Sequence, residues 1–545
     1  MSELIHHSNP FPGIRNFEPE EDYLFFGRDE QISNMLGILS DKHFLALIGY
    51  SGSGKSSLIK AGIIPAISKG KMDKGGENGW ETIYFRPEDD PFNSFAAALY
   101  KIFGLDAADQ DTFIQETVDF LKQDKTDFYQ IYKKFNTVKD KNWLVFVDQF
   151  EEMFRFRNSD YSEQDLKQAQ KFVQIILSVL NQSDLPVYVA ITMRSDFIDS
   201  TTEFIGFPEA LNEVFYLLPK FFGPSLREAI VKPIEVCGGQ ITDRLVERLI
   251  IDADDKSERL PVLQHALMRT WDYWKLNRIG DEPLDIPHYE AIGTMSMALS
   301  IHAEEIYNSI TSTRGKQITE TIFKALNDLS KDKKGTRRPV PLKDLISLTQ
   351  ASEEDVIDII DHFRAQGRAF LLPYYIQLTP ETIIDIAHES IMRLWQRLKN
   401  WIEEETRSAE LYLRLSDSAK LYQQGKTGLW IDTDLALAIK WQEDNKPNSL
   451  WASRYDPAFE RAITFLDYSK KEYQSKIDQK AKKQARELKS ARRTAIILGS
   501  ASIISILFLV FALNLKFKAE ASEKVALENG KKLKVAGIEA DLQKK

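Results

Sequence analysis

The stretch "GYSGSGKSS", residues 49–57, decides the fold. It sets Gly49, Gly54, Lys55 and Ser56 in the spacing G-x-x-x-x-G-K-S, with Ser51, Gly52 and Ser53 inside the loop and Ser57 after it. Glycines let backbone N–H groups curve round a phosphate, and the N-terminus of the following helix adds positive potential. A lysine in this position reaches the β- and γ-phosphates, and the Ser56 hydroxyl is a ligand for Mg²⁺. The flanks are those the motif needs. The apolar run "FLALIG" (44–49) reads as a strand, and "KSSLIKAGIIPAI" (55–67) reads as a helix stopped near Pro65. Together they open a parallel α/β unit.

Further along, "WETIYFRP" is a candidate strand, followed by amphipathic helices to about residue 137. "WLVFVD" (143–148) and "PVYVAITMR" (186–194) are two more β-rich runs, with a helix expected over 162–182 between them. Such alternation predicts a parallel sheet covered on both faces. The run "LVFVDQFEEMF" ends its apolar part at Asp148, which would stand at a strand tip beside the phosphate loop and hold the Mg²⁺ shell. Glu151 and Glu152 follow and are candidates to orient an attacking water; a solvated acidic helix start is the alternative. "AITMRSDF" ends another strand with Thr192 and Arg194 at the same sheet edge, where open α/β sheets bind ligands. Arg194 reads as a γ-phosphate sensor, against a plain surface arginine.

Composition narrows the class. A chain of 545 residues leads to an expectation of three or four domains, and 43% apolar with 28% charged residues is ordinary globular protein. A formal net charge of −10 argues against general affinity for nucleic acid, which needs a basic surface. One cysteine, Cys237, excludes an internal disulfide framework and fits a reducing compartment. "MSELIHHSNPFPG" has neither basic nor apolar signal regions, so no cleavable signal peptide is expected.

One segment breaks the soluble pattern. "TAIILGSASIISILFLVFALNL" (494–515) is 22 residues without a charge, long enough for a hydrocarbon core of ~30 Å. Upstream, "KAKKQARELKSARR" carries seven Lys or Arg in fourteen residues; the matching stretch downstream carries three. The positive-inside rule then keeps residues before 494 cytoplasmic, with a mixed-charge helical tail across the membrane.

After about residue 215 helical patterns dominate to 310. Over 320–400 short helices mix with "AFLLPYY" and "TIIDIAH", which read as the two strands of a small wing, and 401–470 is helical and aromatic-rich. "KGKMDKGGENG" (69–79) reads as a surface loop, and "CGGQ" (237–240), which looks like an ABC-type signature, lies too far after Asp148 for that role and reads as a turn. His388, in "DIAHESIMRLW", has no second histidine at i+4, which argues against a metal site and leaves a packed structural histidine or a part in the distant phosphate site.

"NPFPGIRNFEPEEDYLFFGRDEQI" before the phosphate loop, "DQFEE", "LPVLQHALMRTW" and "HESIMRLWQRLKNWI" together resemble the novel STAND NTPase group over about residues 9–470. The resemblance implies an AAA-like P-loop domain (1–215), a helical lid (216–300), a winged helix (301–400) and a further helical region, to which the charge and hydropathy pattern adds the basic juxtamembrane segment (401–493 with the helical region), a transmembrane helix (494–515) and a short extracytoplasmic tail (516–545). It implies ADP held at the domain junction in a closed form, and opening on ATP exchange, often with oligomerisation. By the same resemblance Gly27 and Arg28 of "FFGR" lie near the adenosine. Asp148 is the Mg²⁺ carboxylate, with Glu151 and Glu152 as the acidic pair, and Arg194 is the first sensor. Pro261 packs on the base and His388 touches the ADP β-phosphate. Two departures stand out: Arg259 replaces the lid glycine two residues before the proline, and the acidic pair follows Asp148 by three residues rather than directly. Many members continue into WD40 repeats; thirty residues follow the membrane segment here, so the expectation is that a sensor module is absent or belongs to another chain.

The expected function is a nucleotide-controlled signalling switch on the bacterial inner membrane, with slow ATP hydrolysis, an ATP-state homo-oligomer and an unknown sensor or effector protein as partner. The alternatives are an AAA-type remodelling or transport-coupled ATPase, and a winged-helix DNA-binding regulator using the basic "KDKKGTRRP" (331–339).

Overall fold

The computed structural model describes residues 9–72, 79–104, 109–136, 141–157, 163–182, 184–254, 259–328, 336–374 and 376–542. Most of the basic run at 331–339 and most of the loop at 69–79 lie outside the described residues, as does the side chain of Arg259. The chain divides into two compact units, 1–407 and 408–545.

The first unit is built on five parallel strands, β1 (Phe44–Gly49), β2 (Trp80–Phe85), β3 (Asn142–Val147), β4 (Val187–Arg194) and β5 (Phe215–Leu217), in the order β2-β3-β4-β1-β5. The apolar runs form strands because both faces of this sheet are covered: every residue of β1 and β3 is buried, as are the first seven of β4. Helices Asp29–Lys42, Pro91–Phe103 and Glu163–Leu177 are among those that cover it. Proline at N1, with Asp90 capping Phe92 and Asn93, starts the second of these. β5, three residues long and largely exposed, was too short to be read as a strand.

The helix after the phosphate loop differs from expectation. It does not stop near Pro65 but runs as Lys55–Ser57, a π-helical turn Leu58–Ile63 and Ile64–Ser68. Proline lacks an N–H and its ring crowds the carbonyl four residues back; the wider π turn just before Pro65 removes that conflict, so the helix continues.

Between residues 223 and 309 the described residues are mainly helical, with Gly223–Val236, Asp243–Asp254, Arg259–Asn277 and Thr294–Ser309 around a core holding Trp271, Trp274 and Tyr289. "CGGQ" is the C-terminal turn of the first of these, with Cys237 buried and Gly238 at φ 76°. Two short antiparallel strands follow, β6 (Asn327–Asp328) and β7 (Thr336–Arg337). A small antiparallel sheet then pairs β8 (Val340–Pro341), β9 (Leu371–Leu372) and β10 (Ile383–Ile386) in the order β8-β10-β9. The runs "AFLLPYY" and "TIIDIAH" supply β9 and β10, and β8, two residues long, is an additional strand. Helices Thr313–Ala325, Leu342–Thr349 and Glu353–Arg364 share its core with Trp395.

In the second unit Tyr412, Leu415, Trp441, Phe465 and Leu466 form a small core. Its last helix, Phe459–Leu542, is continuous over 84 residues and contains the uncharged stretch 494–515, whose large side chains are exposed.

Candidate functional site

The carboxyl ends of the parallel strands bring distant residues to one edge. Gly49 closes β1 and pairs in register with Arg194, the last residue of β4. Phe85 pairs with Val147, so Arg86 and Asp148 leave β2 and β3 side by side. Against this edge opens a cavity of about 1300 Å³ lined by the phosphate loop from Ser51 to Ser57.

The loop has the shape its sequence demands. Gly52 and Gly54 have φ of 72° and 88°, a region that penalises any side chain, and Gly54 immediately precedes the helix at Lys55. Lys55 Nζ folds back to donate to the Gly49 and Tyr50 carbonyls, each at 2.9 Å. Burial pushes its pKa down, opposed by Glu151 and Asp148. The Ser53 hydroxyl is buried without a partner.

Asp148 is fully buried behind the cavity wall and is the hub of the edge. Its Oδ1 accepts from the Ser56 and Thr192 hydroxyls, both at 2.6 Å, and its Oδ2 lies 3.4 Å from the Tyr84 hydroxyl and 3.6 Å from Arg86 Nε. A hydroxyl and a carboxylate joined at this spacing are the donor pair a P-loop site offers a hard divalent cation, which takes its other ligands from phosphate and water. Among the described residues no group of three or more His, Cys, Asp or Glu forms a metal site of its own.

The two glutamates part ways. Glu152 accepts from the Glu88 N–H at 3.0 Å, tying down the segment after β2. Glu151 lines the cavity, accepts from the Arg194 N–H at 3.3 Å, and is pushed up to about pKa 7 by burial, against the pull of Lys55. A carboxyl near neutrality is suited to proton transfer.

Arg194 is engaged on two sides. Its Nε and Nη2 donate to Asp196 at 3.1 and 2.7 Å, and its Nη1 donates to Glu389 at 3.2 Å. Glu389 follows His388, the N-cap of the helix Glu389–Leu394 next to the small sheet. His388 lines the same cavity as Lys55. Its Nδ1 accepts the Ser390 N–H at 3.1 Å, which leaves the proton of the neutral ring on Nε2. Burial, with the charges of Arg337, Arg393, Lys55 and Arg194, holds its pKa at about 3, so the ring is a neutral donor at physiological pH.

Arg28 and Pro261 line the same cavity. Arg28 is buried, donates to the Pro219 carbonyl at 3.0 Å and lies 3.7 Å over the Phe221 ring. Gly27 is buried beside it at φ 80°, and a Cβ there would run into the Ser225 carbonyl. The N-terminal segment closes this wall: the Phe17 N–H donates to the Ser57 hydroxyl at 3.2 Å, and Lys60 pairs with Glu18 at 3.0 Å.

The candidates read from the sequence therefore gather round one cavity, with Gly27, Gly49 and Asp148 behind its wall. Arg86, Tyr84 and Glu389 were missed. Arg86 had a signal, since it directly follows an apolar strand as Asp148 does; Glu389 had none beyond adjacency to His388. Arg337, a candidate DNA contact, donates to Asp385 at 2.7 Å and lines the cavity.

The family model for Novel STAND NTPase 1 matches residues 10–428, well over half of the chain. The chain belongs to the novel STAND NTPases. No curated protein matches the sequence. Among solved structures, the ORC2 protein of Aeropyrum pernix is 12% identical with a TM-score of 0.36, covering 74% of this chain and 97% of that one. Drosophila ORC bound to DNA is 11% identical at 0.34, covering 73% and 90%. The RuvB Holliday junction branch migration motor of Thermotoga maritima is 12% identical at 0.28, covering 70% and 97%. At such scores nothing that those proteins bind transfers to this STAND chain. Membership in the family makes it a P-loop NTPase and implies nucleotide binding with a divalent metal, to which the Ser56–Asp148 pair and the glycine loop are suited.

Proposed function

We propose that this STAND NTPase is a membrane-anchored switch in signal transduction, set by ATP against ADP and reset by slow hydrolysis. In this reading the phosphate loop with Lys55 holds the phosphates, Ser56 and Asp148 hold Mg²⁺, and Glu151 orients water. Arg28 and Pro261 border the adenosine. Residues 1–215, 216–300 and 301–400 act as P-loop, lid and winged-helix domains.

The observation that carries the switch is the Arg194–Glu389 ion pair, one residue from His388. A ligand shifts a conformational equilibrium only by the difference in its contacts with the two states. A diphosphate leaves Arg194 on Glu389 and accepts a hydrogen bond from His388. A terminal phosphate competes with the Glu389 carboxylate for the same guanidinium and so weakens the hold on the module bearing both residues. Each such contact is worth about 1 kcal/mol, roughly a fivefold bias.

Anchoring by 494–515 is supported by the helix Phe459–Leu542, where Ile503, Leu507, Phe508 and Phe511 are all exposed in a run of side chains suited to lipid. The basic flank supports a cytoplasmic NTPase part at a bacterial inner membrane. ATP-state self-association and an unknown sensor or effector protein belong to the same proposal.

The test is nucleotide exchange on the full chain in detergent. Retained ADP, with ATP analogues changing the particle mass, supports the switch. Rapid steady hydrolysis at constant mass favours an AAA-type motor instead.

A further inference from the structure

One cation at the sheet edge has no part in the roles assigned above. Arg86 is the first residue after β2, level with Asp148 by the Phe85–Val147 register, and lines the cavity with the phosphate loop. We propose that Arg86 is a cation supplied in cis to the terminal phosphate of a nucleoside triphosphate, a reading that rests on the P-loop assignment of the cavity.

Its surroundings are unlike those of the structural arginines of the same unit. Arg397 grips Glu304 with Nε and Nη2 at 2.9 and 2.7 Å, and Arg337 donates to Asp385 at 2.7 Å. The fork of Arg86 meets no carboxylate in this way. Its Nε is buried without a hydrogen-bond partner, and the Asp148 carboxylate at 3.6 Å is beyond hydrogen-bond range.

The carboxylates nearby do not depend on it for satisfaction. Asp148 already accepts from Ser56 and Thr192, and Glu152 from the Glu88 N–H. Yet the Asp148, Glu152 and Asp385 carboxylates act on the Arg86 charge and keep it firmly cationic despite burial, while the neutral Tyr84 hydroxyl is its hydrogen-bonding neighbour. A partly unspent guanidinium, kept charged beside the metal-binding carboxylate, fits a planar trio of phosphate oxygens that arrives with the nucleotide. Lys55 approaches the phosphates from the β1 side of the edge and Arg86 from the β2 side. The chain then needs no arginine from a neighbouring copy to complete the site.

The experiment titrates full-length protein in detergent with fluorescent ADP and with a fluorescent non-hydrolysable ATP analogue, each with Mg²⁺. Arg86→Ala should weaken the triphosphate analogue about tenfold or more and leave ADP within about twofold, and Arg86→Lys should recover part of the loss. Equal weakening of both ligands, or no change in either, overturns the proposal. If Arg86→Ala fails to fold, Arg86→Lys and Arg86→Gln are judged by the same ratio. Failure of the unsubstituted chain to bind either ligand would overturn the P-loop assignment and this proposal with it, a result distinct from unchanged selectivity.

Discussion

Arg194, the last residue of β4, donates to Glu389, the residue after His388, at 3.2 Å across 195 positions of sequence. Glu389 also accepts from Arg393 at 3.2 Å, so its carboxylate is held by both modules at once. Replacing Glu389 with Gln removes the charge that competes with a terminal phosphate. ATP-analogue affinity relative to ADP should rise roughly fivefold, as a partly buried pair worth about 1 kcal/mol allows. A competition titration reads the ratio, and an unchanged ratio would remove Glu389 from the switch.

His388→Ala should weaken ADP about tenfold through loss of one buried hydrogen-bond donor. Because the pKa of His388 is held at about 3, its donor is present throughout the physiological range. In the nucleotide-free chain the ring should therefore stay neutral between pH 6 and 8 by NMR; a titration step near 6.5 that His388→Ala abolishes would contradict the neutral ring.

Glu151 and Glu152 should separate kinetically. With Glu151 pushed up to about pKa 7, hydrolysis that uses its carboxylate rises with pH through 7 and falls as the group is protonated below it. Glu151→Gln should lower single-turnover hydrolysis about a hundredfold with ADP binding retained. Glu152→Ala should act mainly on stability, through loss of the acceptor for the Glu88 N–H. The reverse order of effects would exchange the roles.

His265 and His302 form a fully enclosed pair, Nε2 to Nδ1 at 3.0 Å, packed on Phe370. Burial takes His265 down to about pKa 3 and His302 well below its ordinary value. The unfolded chain binds protons at about pH 6.5, where the folded pair does not. The stability this neutral pair permits is thus complete above about 6.5 and is lost as pH falls toward the folded values, by up to about 1.4 kcal/mol per pH unit for each residue. Thermal melts at pH 7.5, 6.5 and 5.5 should show a declining melting temperature, and His265→Asn should decline less steeply.

The legible parts of this chain are those fixed by local pattern. The phosphate loop, Asp148 and Arg194 could be read because each ends a continuous apolar run, and buried parallel strands are such runs. The π turn was hidden because Pro65 alone signals a stop, whereas the accommodation lies in the backbone before it. β5 was too short and exposed, and β8 is two residues long. The Arg194–Glu389 pair arises from tertiary placement, and no local pattern in either segment marks it. His388 shows the same division: its sequence setting argued only against a metal, and its tautomer follows from the Ser390 N–H.

The most direct test of the switch is the nucleotide content, turnover and mass of the full chain purified in detergent. The account predicts retained ADP, turnover of about one per minute or slower, as for an unassisted nucleotide switch, and a mass or shape change on ATP-analogue binding that Lys55→Ala abolishes. Fast, steady hydrolysis with no retained nucleotide and no change in mass or shape would contradict it.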